Sequence, residues 1–244
     1  MKAVILAAGR GTRLGALTDN CPKPMIKVAG IPLVEYVIRC CMDAGIKDFI
    51  LVTKYLAEQV SGYFGDGSKM GINIDYVVQD DRYGTGVALL LCEKLVAGDD
   101  VLLCYGDCVT ERKVYKDAVA LFGEKPDLLA VEVLNWVEDP WQGSAIMFGE
   151  DGLVTEMIEK PPKGTVPSHW NSAGIFCFKN EIFEYCKKIT PSVRGEYELP
   201  SAITDIIADG RKIAAYCIEG EWCDMGRPED IPAAEAIVRR GMNC

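Results

Sequence analysis

The first segment with residues suited to chemistry is a glycine-rich loop close to the start of the chain. Residues 7–14 read AAGRGTRL, and residues 22–24 read PKP. Glycines let the backbone approach a ligand closely and point its amide groups at phosphate oxygens. Arg13 and Lys23 add positive charge that a polyphosphate requires. We therefore predict a phosphate-binding loop, with a plain tight turn as the alternative.

This loop differs from two common nucleotide-binding motifs. No G-K-[ST] closes it, so it is not a P-loop. The third glycine of the dinucleotide-binding fingerprint is also missing. The loop therefore indicates a polyphosphate ligand without naming the family.

A carboxylate follows an apolar segment later in the chain. Residues 101–105 read VLLCY and are followed by Gly106 and Asp107. Mg²⁺ is commonly held by one or two carboxylates together with phosphate oxygens. We predict that Asp107 is a magnesium ligand, and a turn or capping role is the alternative.

The overall charge limits the class of partner. The formal net charge is −10 at pH 7. Nucleic-acid binding needs a basic surface that neutralises phosphates, so we expect no nucleic-acid partner. An acidic protein can still bind a polyphosphate through a few local cations and a metal ion.

Cysteine usage and hydropathy indicate the compartment. There are 11 cysteines, and none forms a C-x-x-C pattern, so a zinc site is poorly supported. The chain starts directly in an apparent strand, and no stretch of about 18 apolar residues occurs. We expect buried free thiols, no membrane partner and a cytoplasmic location.

The elements that position these residues alternate along the first half. Apolar runs and helical periodicity indicate strands and helices in turn. The predicted strands are Lys2 to Ala7, Asp48 to Thr53, Ile72 to Val78 and Val101 to Tyr105, and the predicted helices are Pro32 to Ala44, Tyr55 to Phe64 and Thr85 to Val96. This alternation predicts an α/β fold, a Rossmann-like three-layer sandwich with a mostly parallel central sheet. Ligands bind beyond the carboxyl ends of such strands, so the loops after Ala7, Val78 and Tyr105 should converge.

The second half has more strands and no clear linker. The predicted strands are Leu128 to Leu134, Ser144 to Phe148, Leu153 to Ile158 and Asn171 to Phe178, with a hairpin turn at residues 150–152. The predicted helices are Glu181 to Lys187, Leu199 to Ala208 and Glu229 to Arg239. We expect a single domain over residues 1–240 and a tail at 241–244.

Taken together, the motifs resemble the sugar-phosphate nucleotidyltransferase family. That family carries L-A-A-G-x-G-T-R-L and then P-K-P, which this chain matches at residues 6–14 and 22–24. The resemblance extends in order over almost the whole chain. It implies the nucleotide-diphospho-sugar transferase fold and an enzyme in which a sugar 1-phosphate attacks the α-phosphate of a nucleoside triphosphate.

The resemblance also implies a nucleotide-binding set. These residues are Leu6, Ala8, Gly9, Gly11, Thr12, Arg13, Lys23, Gln79, Gly84 and Thr85. A glutamine amide both donates and accepts hydrogen bonds, which suits the edge of uracil or thymine and favours UTP or dTTP. An exposed loop glutamine before a helix is the alternative for Gln79.

A second carboxylate for the metal comes from the resemblance alone. Residues 222–230 read WCDMGRPED where the family usually has W-x-D-x-G-T-P-E-D. Asp224 would join Asp107 in holding Mg²⁺, the expected cofactor. The implied catalytic residues are Arg13, Lys23, Asp107 and Asp224. Asp230 is better interpreted as a residue of helix entry.

The implied sugar-phosphate site follows from the family's E-K-P motif. Glu159 would accept hydrogen bonds from sugar hydroxyls, and Lys160 would hold the phosphate, with a surface ion pair as the alternative. Gly143 and Asn171 would line the pocket, or would serve as a turn glycine and a strand cap. Residues 196–200, EYELP, resemble a family segment near this site.

Three positions depart from the family pattern. Ala16 replaces a common proline, Cys108 replaces a small polar residue, and Arg227 replaces a threonine. No role is transferred to them. A general base is not needed, because the attacking phosphate oxygen is already ionised.

The expected function is a Mg²⁺-dependent transfer that uses a nucleoside triphosphate and a sugar 1-phosphate and yields a nucleotide-sugar and pyrophosphate. Two alternatives stay open. One is a cytidylyltransferase or other nucleotidyltransferase for a non-sugar phosphate such as phosphocholine. The other is a non-catalytic, nucleotide-sugar-binding regulatory domain. The sequence is compatible with a homo-oligomer.

Overall fold

A computed structural model describes residues 1–242 and contains one large sheet with helices on both faces. The strands are β1 (Lys2–Leu6), β2 (Lys27–Val28), β3 (Ile31–Pro32), β4 (Asp48–Thr53), β5 (Asn73–Val78), β6 (Val101–Tyr105), β7 (Cys108–Thr110), β8 (Leu128–Trp136), β9 (Ser144–Phe148), β10 (Val154–Glu159), β11 (Trp170–Phe178), β12 (Lys212–Cys217) and β13 (Trp222–Asp224). The α-helices are α1 (Leu33–Asp43), α2 (Ala57–Phe64), α3 (Thr85–Leu90), α4 (Glu93–Val96), α5 (Arg112–Glu124), α6 (Ile182–Cys186), α7 (Leu199–Ala208) and α8 (Ile231–Met242).

The central sheet has the strand order β10-β9-β11-β6-β1-β4-β5, with β8 beside β11 and β12 beside β8. Strands β5, β4, β1 and β6 are all parallel. Strand β11 is antiparallel to β6 and to β8, whereas β12 is parallel to β8. The prediction of a mostly parallel α/β sandwich is confirmed.

Strand β1 shows how the sheet separates two apolar layers. Ala3 and Ile5 face a core formed with α1, α2, α5 and α8. Val4, between them, faces a second core formed with α3, α4, α6 and α7. Successive side chains on a strand point to opposite faces, so a continuous apolar strand requires cover on both sides. The sheet and the helices packed on each of its two faces form the three layers.

Most predicted elements occur, with shifts at their ends. The hairpin at residues 150–152 joins β9 and β10, and Gly152 has the left-handed φ of +74° that favours glycine there. The predicted helix from Thr85 to Val96 is divided into two helices. At the division, the backbone N–H of Cys92 donates to the Leu89 carbonyl and forms a turn tighter than that of an α-helix. The last helix begins at Ile231, since residues 228–230 form a separate 3-10 turn.

Six of the strands and α-helices were not predicted, namely β2, β3, α5, β7, β12 and β13. Helix α5 carried a readable signal, because its buried residues Val114, Ala118 and Phe122 recur at helical spacing. The two short strands β7 and β13 have only three residues each, too few for a period. Residues 241–242 of the expected tail belong to α8, and residues 243–244 lie outside the described part of the chain.

None of the helices within residues 1–242 combines the length and the apolar character needed to cross a membrane.

Candidate active site

The carboxyl ends of β1, β5 and β6 open into one cleft of about 710 Å³. The predicted convergence of their loops is therefore confirmed. Most of the candidate residues border this cleft: Leu6, Ala8, Gly9, Arg13, Gln79, Gly84, Thr85, Asp107, Gly143, Glu159, Lys160, Asn171 and Asp224. Lys23 borders a small adjoining cavity together with Asp107. Gly11 and Thr12 border neither cavity.

The glycine-rich loop uses its two glycines differently. A β-carbon at Gly9 would meet nothing within 4 Å, so this glycine leaves open space at the cleft. Gly11 has φ +72°, and a β-carbon there would lie 2.9 Å from Lys23 Cβ. Thr12 begins a 3-10 helix, Thr12–Thr18, that leads away from the loop. Gly11 therefore positions Lys23 and does not face the ligand space.

Lys23 lies between the two candidate metal-binding carboxylates. Its Nζ donates to Asp107 Oδ2 at 2.5 Å and to Asp224 Oδ1 at 3.4 Å. The lysine side chain is buried, whereas both aspartates are partly exposed to the cleft. Lys23 and Asp224 are 201 positions apart in the sequence, and the fold brings them into one cluster.

Strand pairing explains how the aspartates meet. Asp107 ends the turn after β6, and β7 begins at the next residue. Strand β13 pairs antiparallel with β7, so that Asp224 lies directly opposite Cys108. Met225 N donates to the Asp107 carbonyl at 3.0 Å, which extends the pairing across the turn. Trp222 Nε1 donates to the Ala173 carbonyl at 2.9 Å and fixes β13 against the central sheet.

The charges in this cluster shift one another's protonation. Burial opposes the charge on Lys23, but the nearby Asp107 and Asp224 carboxylates outweigh it and raise the pKa of Lys23. Burial and the Asp107 carboxylate raise the pKa of Asp224, while the charges of Lys23 and Arg13 oppose this shift. Asp107 and Asp224 together carry two negative charges beside the single charge of Lys23, and a divalent ion would stabilise the ionised form of both carboxylates.

The loop after β13 is fixed by Asp230. Its Oδ2 accepts from the backbone N–H of Gly226 at 2.9 Å and of Arg227 at 2.7 Å. Asp230 therefore orders the loop at the entry of α8 and is not among the clustered metal-ligating atoms. This agrees with its predicted role in helix entry. Arg227 and Arg13 both border the cleft, and neither guanidinium group forms an ion pair with a carboxylate within the described residues.

The side-chain amide of Gln79 has a defined orientation. The side chain is buried, and its Nε2 donates to the carbonyls of Arg82 and Gly84, each at 3.3 Å. The amide NH₂ is therefore used within the loop. Oε1 is left as a hydrogen-bond acceptor beside the cleft, so the alternative of an exposed loop glutamine is wrong.

The E-K-P segment forms a constrained turn at the other end of the cleft. Lys160 has φ +46°, an uncommon backbone conformation for a residue with a β-carbon. Its N–H donates to the Gly143 carbonyl at 2.7 Å. Glu159 accepts from the Ser144 hydroxyl and lies 3.8 Å from Lys160 Nζ. The turn holds one carboxylate and one ammonium group at the cleft.

Gly143 and Asn171 fit against each other. A β-carbon at Gly143 would lie 2.0 Å from Asn171 Oδ1. This oxygen accepts from Ser144 N, and Nδ2 donates to Asn135 Oδ1 and to the Ser172 carbonyl. The Asn171 amide group thus links the 143–144 turn to Asn135 on β8 and to the backbone of β11.

Arg194 is a cleft residue that the sequence did not single out. It pairs with Glu159 at 3.3 Å, Glu196 at 3.9 Å and also Glu198. The segment at 196–200 was noted for its resemblance, so the available signal was an arginine two residues before it. Arg194 and Lys160 are two cationic side chains at this end of the cleft, separate from Lys23 and Arg13, and they lie beside the three carboxylates of Glu159, Glu196 and Glu198.

The comparisons with known proteins agree with this fold and cleft. The profile of the nucleotidyl transferase family matches residues 2–240, and the chain belongs to that family. A low-salt glycan biosynthesis nucleotidyltransferase from Haloferax volcanii is 34% identical over 239 residues, which are 98% of this chain and 66% of that protein. A UTP–glucose-1-phosphate uridylyltransferase from the same organism is 34% identical, covering 96% of this chain and 95% of that protein.

A solved structure extends the likeness to three dimensions. The structure of a protein from Bacillus anthracis, described as a glucose-1-phosphate thymidylyltransferase in complex with sucrose, superposes with a TM-score of 0.89 at 27% identity. The match covers 98% of this chain and 95% of that one. The chain spans only 53% to 66% of the length of several curated relatives.

Proposed function

We propose that this protein is a magnesium-dependent nucleotidyltransferase that joins a nucleoside triphosphate to a sugar 1-phosphate. The observation that carries this proposal is the convergence of Asp107 and Asp224 on Lys23 beside the glycine-rich loop. Such a cluster suits a reaction in which two anionic reactants must be brought together. Membership of the nucleotidyl transferase family supports the same reaction class.

The loop end of the cleft suits the triphosphate. Gly9 leaves space for a ligand at the loop backbone, and Arg13 and Arg227 have no carboxylate partner within residues 1–242. Unpaired guanidinium groups at a cleft are well suited to phosphate oxygens. Leu6 and Ala8 complete this side of the cleft.

The opposite end suits the acceptor. Glu159 offers carboxylate oxygens to sugar hydroxyls, while Lys160 and Arg194 offer positive charge to its phosphate. The carboxylates around Arg194 hold its guanidinium in one place before substrate arrives. Positioning of this kind lowers the entropic cost of the bimolecular step.

The chemical step is a displacement at the α-phosphorus. A phosphate oxygen of the sugar 1-phosphate forms the new bond, the bond from the α-phosphorus to the bridging oxygen breaks, and pyrophosphate leaves. Lys23 and Arg13 stabilise the charge that develops on the phosphates. No proton has to be removed from the nucleophile, because the attacking oxygen is already ionised.

The donor set fits a magnesium ion. Two carboxylates lie close together next to the glycine-rich loop. Carboxylates are the protein ligands that Mg²⁺ takes together with substrate oxygens. Asp107 and Asp224 would hold the ion. When bound, it would neutralise phosphate charge and orient the two reactants.

The substrate pair with the best support is UTP and glucose 1-phosphate. The Haloferax uridylyltransferase is named for these substrates and matches this chain at near full length. The free acceptor Oε1 of Gln79 suits the N3–H donor of uracil or thymine. Cytosine carries a lone pair at N3 and so meets this acceptor less favourably.

The test is a pyrophosphate-release screen. UTP, dTTP, CTP, ATP and GTP are each combined with glucose 1-phosphate, N-acetylglucosamine 1-phosphate and phosphocholine, with and without Mg²⁺. We expect Mg²⁺-dependent release with UTP or dTTP and a sugar 1-phosphate.

Each alternative has its own outcome in this screen. Turnover only with CTP and phosphocholine would show that the acceptor is a non-sugar phosphate and not a sugar 1-phosphate. Nucleotide-sugar binding by calorimetry, without turnover for any pair, would identify a regulatory domain and overturn the proposal.

A further inference from the structure

The loop at residues 83–86, at the nucleotide end of the cleft, is joined directly to the segment at residues 194–199 at the acceptor end. Tyr197 N donates to the Tyr83 carbonyl at 2.7 Å, and Gly86 N donates to the Tyr197 carbonyl at 2.9 Å. The two ends of the cleft therefore share one hydrogen-bonded junction, although about 110 residues separate its two sides in sequence.

Two glycines make the close approach at this junction possible. Gly84 has φ +141°, and a β-carbon there would lie 2.1 Å from the Tyr197 carbonyl oxygen. A β-carbon at Gly86 would lie 3.2 Å from the same oxygen and 2.3 Å from Ile189 Cδ1. Residues without a β-carbon allow two backbones to lie this close. The loop and the segment therefore pack as one unit.

Thr85, between these glycines, supplies a hydrogen bond that the first turn of α7 needs. The backbone N–H of Leu199, the first residue of α7, donates to Thr85 Oγ1 at 3.0 Å. The first N–H groups of a helix have no partner within the helix, and the side chain of the residue before the helix commonly accepts from one of them. That residue is Glu198, and its side chain makes no such bond. Because Leu199 is buried, removal of the Thr85 hydroxyl would leave its N–H without a partner among the described residues.

With Thr85 in this role, the Glu198 carboxylate pairs with Arg194 instead. Arg194 donates to Glu198 and, at 3.3 Å, to Glu159. We propose that Thr85 is a positioning residue for the acceptor end, because its hydroxyl holds the start of α7 and thereby sets the location of Arg194 and Glu198. The inference rests on the proposed function only for the identity of the acceptor that Arg194 meets.

This role differs from the one that the family resemblance implies, in which Thr85 binds the nucleotide. Thr85 borders the cleft, so the two roles have to be separated by kinetics. A hydroxyl that contacts the nucleotide contributes to the KM for the nucleoside triphosphate. A hydroxyl that holds α7 contributes to the KM for the sugar 1-phosphate.

The experiment removes the accepting oxygen and then restores it. Thr85→Val keeps the branched shape of the side chain without the oxygen, whereas Thr85→Ser keeps the oxygen. Thr204→Val is the matched control, because Thr204 is an exposed residue of α7 whose hydroxyl donates to the Pro200 carbonyl within the same helix.

Steady-state kinetics with UTP and glucose 1-phosphate varied in turn give the first readout. Thr85→Val should raise the KM for glucose 1-phosphate at least ~5-fold, in line with a buried N–H that has lost its partner. The KM for UTP should stay within about 2-fold of the wild-type value, because the hydroxyl does not contact the nucleotide. Thr85→Ser and Thr204→Val should both match wild type.

Amide hydrogen exchange of the free protein, followed by mass spectrometry, gives a second readout that needs no substrate. Thr85→Val should speed exchange in peptides that cover residues 192–199, because the start of α7 has lost its hydrogen bond. Peptides from β1 and β4 should exchange as in wild type, which also shows that the variant is folded. Thr85→Ser should retain the wild-type exchange rates throughout. If Thr85→Val does not fold, Thr85→Ala is measured under the same criteria.

Several outcomes would overturn the positioning role. They are a rise in the KM for UTP alone, an unchanged KM for glucose 1-phosphate, unchanged exchange at residues 192–199 in Thr85→Val, and a Thr85→Ser variant as impaired as Thr85→Val. Absence of pyrophosphate release from UTP and glucose 1-phosphate in wild type would instead count against the proposed function. In that case the exchange rates still decide whether Thr85 holds the segment.

Discussion

The α-carbon of Gly11 packs directly against the side chain of Lys23. A β-carbon at Gly11 would lie 2.9 Å from Lys23 Cβ and 3.1 Å from its Cγ. Lys23 in turn donates to Asp107 and Asp224. The second glycine of the loop therefore leaves room for the Lys23 side chain, whose ammonium group lies between the two aspartates.

Replacing Gly11 tests this relationship. Gly11→Ala should destabilise the protein by about 1–2 kcal/mol from the left-handed backbone alone, and more because the new methyl group displaces Lys23. Turnover in the pyrophosphate assay should fall together with stability. Chemical denaturation and the turnover number at saturating substrate measure the two effects.

Gly71→Ala is the matched control. Gly71 has a nearly identical left-handed conformation, with φ +74° and ψ +27°, but a β-carbon there meets nothing within 4 Å. It should lose stability and keep its turnover. Normal turnover in Gly11→Ala would show that the glycine does not position Lys23.

The metal assignment is tested by Asp107→Asn. This change keeps the shape of the side chain and removes one of the two charges that would hold Mg²⁺. We expect turnover to fall at least ~100-fold, in line with the loss of a major charge-stabilising group. Asp127→Asn, at an exposed aspartate paired only with Lys212, should leave turnover unchanged. Near-normal turnover in Asp107→Asn would contradict the metal site.

The acceptor end of the cleft depends on the fit between Gly143 and Asn171. Gly143→Ala places a methyl group where Asn171 Oδ1 lies, so the asparagine and the 143–144 turn must move. We expect the KM for the sugar 1-phosphate to rise by about 10-fold or more, with the KM for the nucleotide unchanged. Steady-state kinetics with each substrate varied in turn measures this split.

A double variant separates steric conflict from other causes. Asn171→Ala removes the atoms that the new methyl group would meet. In a double-mutant cycle, Gly143→Ala should therefore cost less in the Asn171→Ala background than in wild type. Strict additivity of the two changes would show that this contact does not control acceptor binding.

The buried Glu132 side chain lowers the free energy of unfolding by an amount that depends on pH. It lies on β8 between β11 and β12, and neither carboxylate oxygen has a hydrogen-bond partner within the described residues. Burial raises the pKa of Glu132 to about 8, with the Ser172 hydroxyl opposing the shift. In the unfolded chain the carboxyl ionises near its ordinary pKa of about 4.3. Between these values the folded state binds more protons, so the free energy of unfolding falls as pH rises.

Glu132→Gln should remove this dependence. The variant should gain on the order of 3–5 kcal/mol relative to wild type at about pH 9, and little at about pH 4. Urea denaturation of both proteins across this range measures the difference. Glu124→Gln, at an exposed glutamate, should show no such trend. A stability difference between Glu132→Gln and wild type that does not change with pH would contradict the buried, neutral carboxyl.

The alternation of strands and helices in the first half was readable from the chain because it depends on local pattern. Strands β1, β4 and β6 are covered on both faces, and the loops after β1, β5 and β6 contribute to the cleft. The amphipathic helix α5 was equally readable from Val114, Ala118 and Phe122 and was missed. Strand β12 was missed although Ile213 and Ala214 are buried in it.

The fold class, the glycine-rich loop after β1 and the carboxylate after β6 were predictable from the chain, because these features depend on residues close together in sequence. Three contacts could be seen only in the folded protein: Lys23 bridges Asp107 and Asp224, Arg194 pairs with Glu159, and the Cys108 thiol lies beside both aspartates. Asp224 reaches Asp107 and Cys108 through the pairing of two three-residue strands, β7 and β13. Strands that short carry no periodic pattern, so their partner is selected by packing and hydrogen bonding in the folded protein.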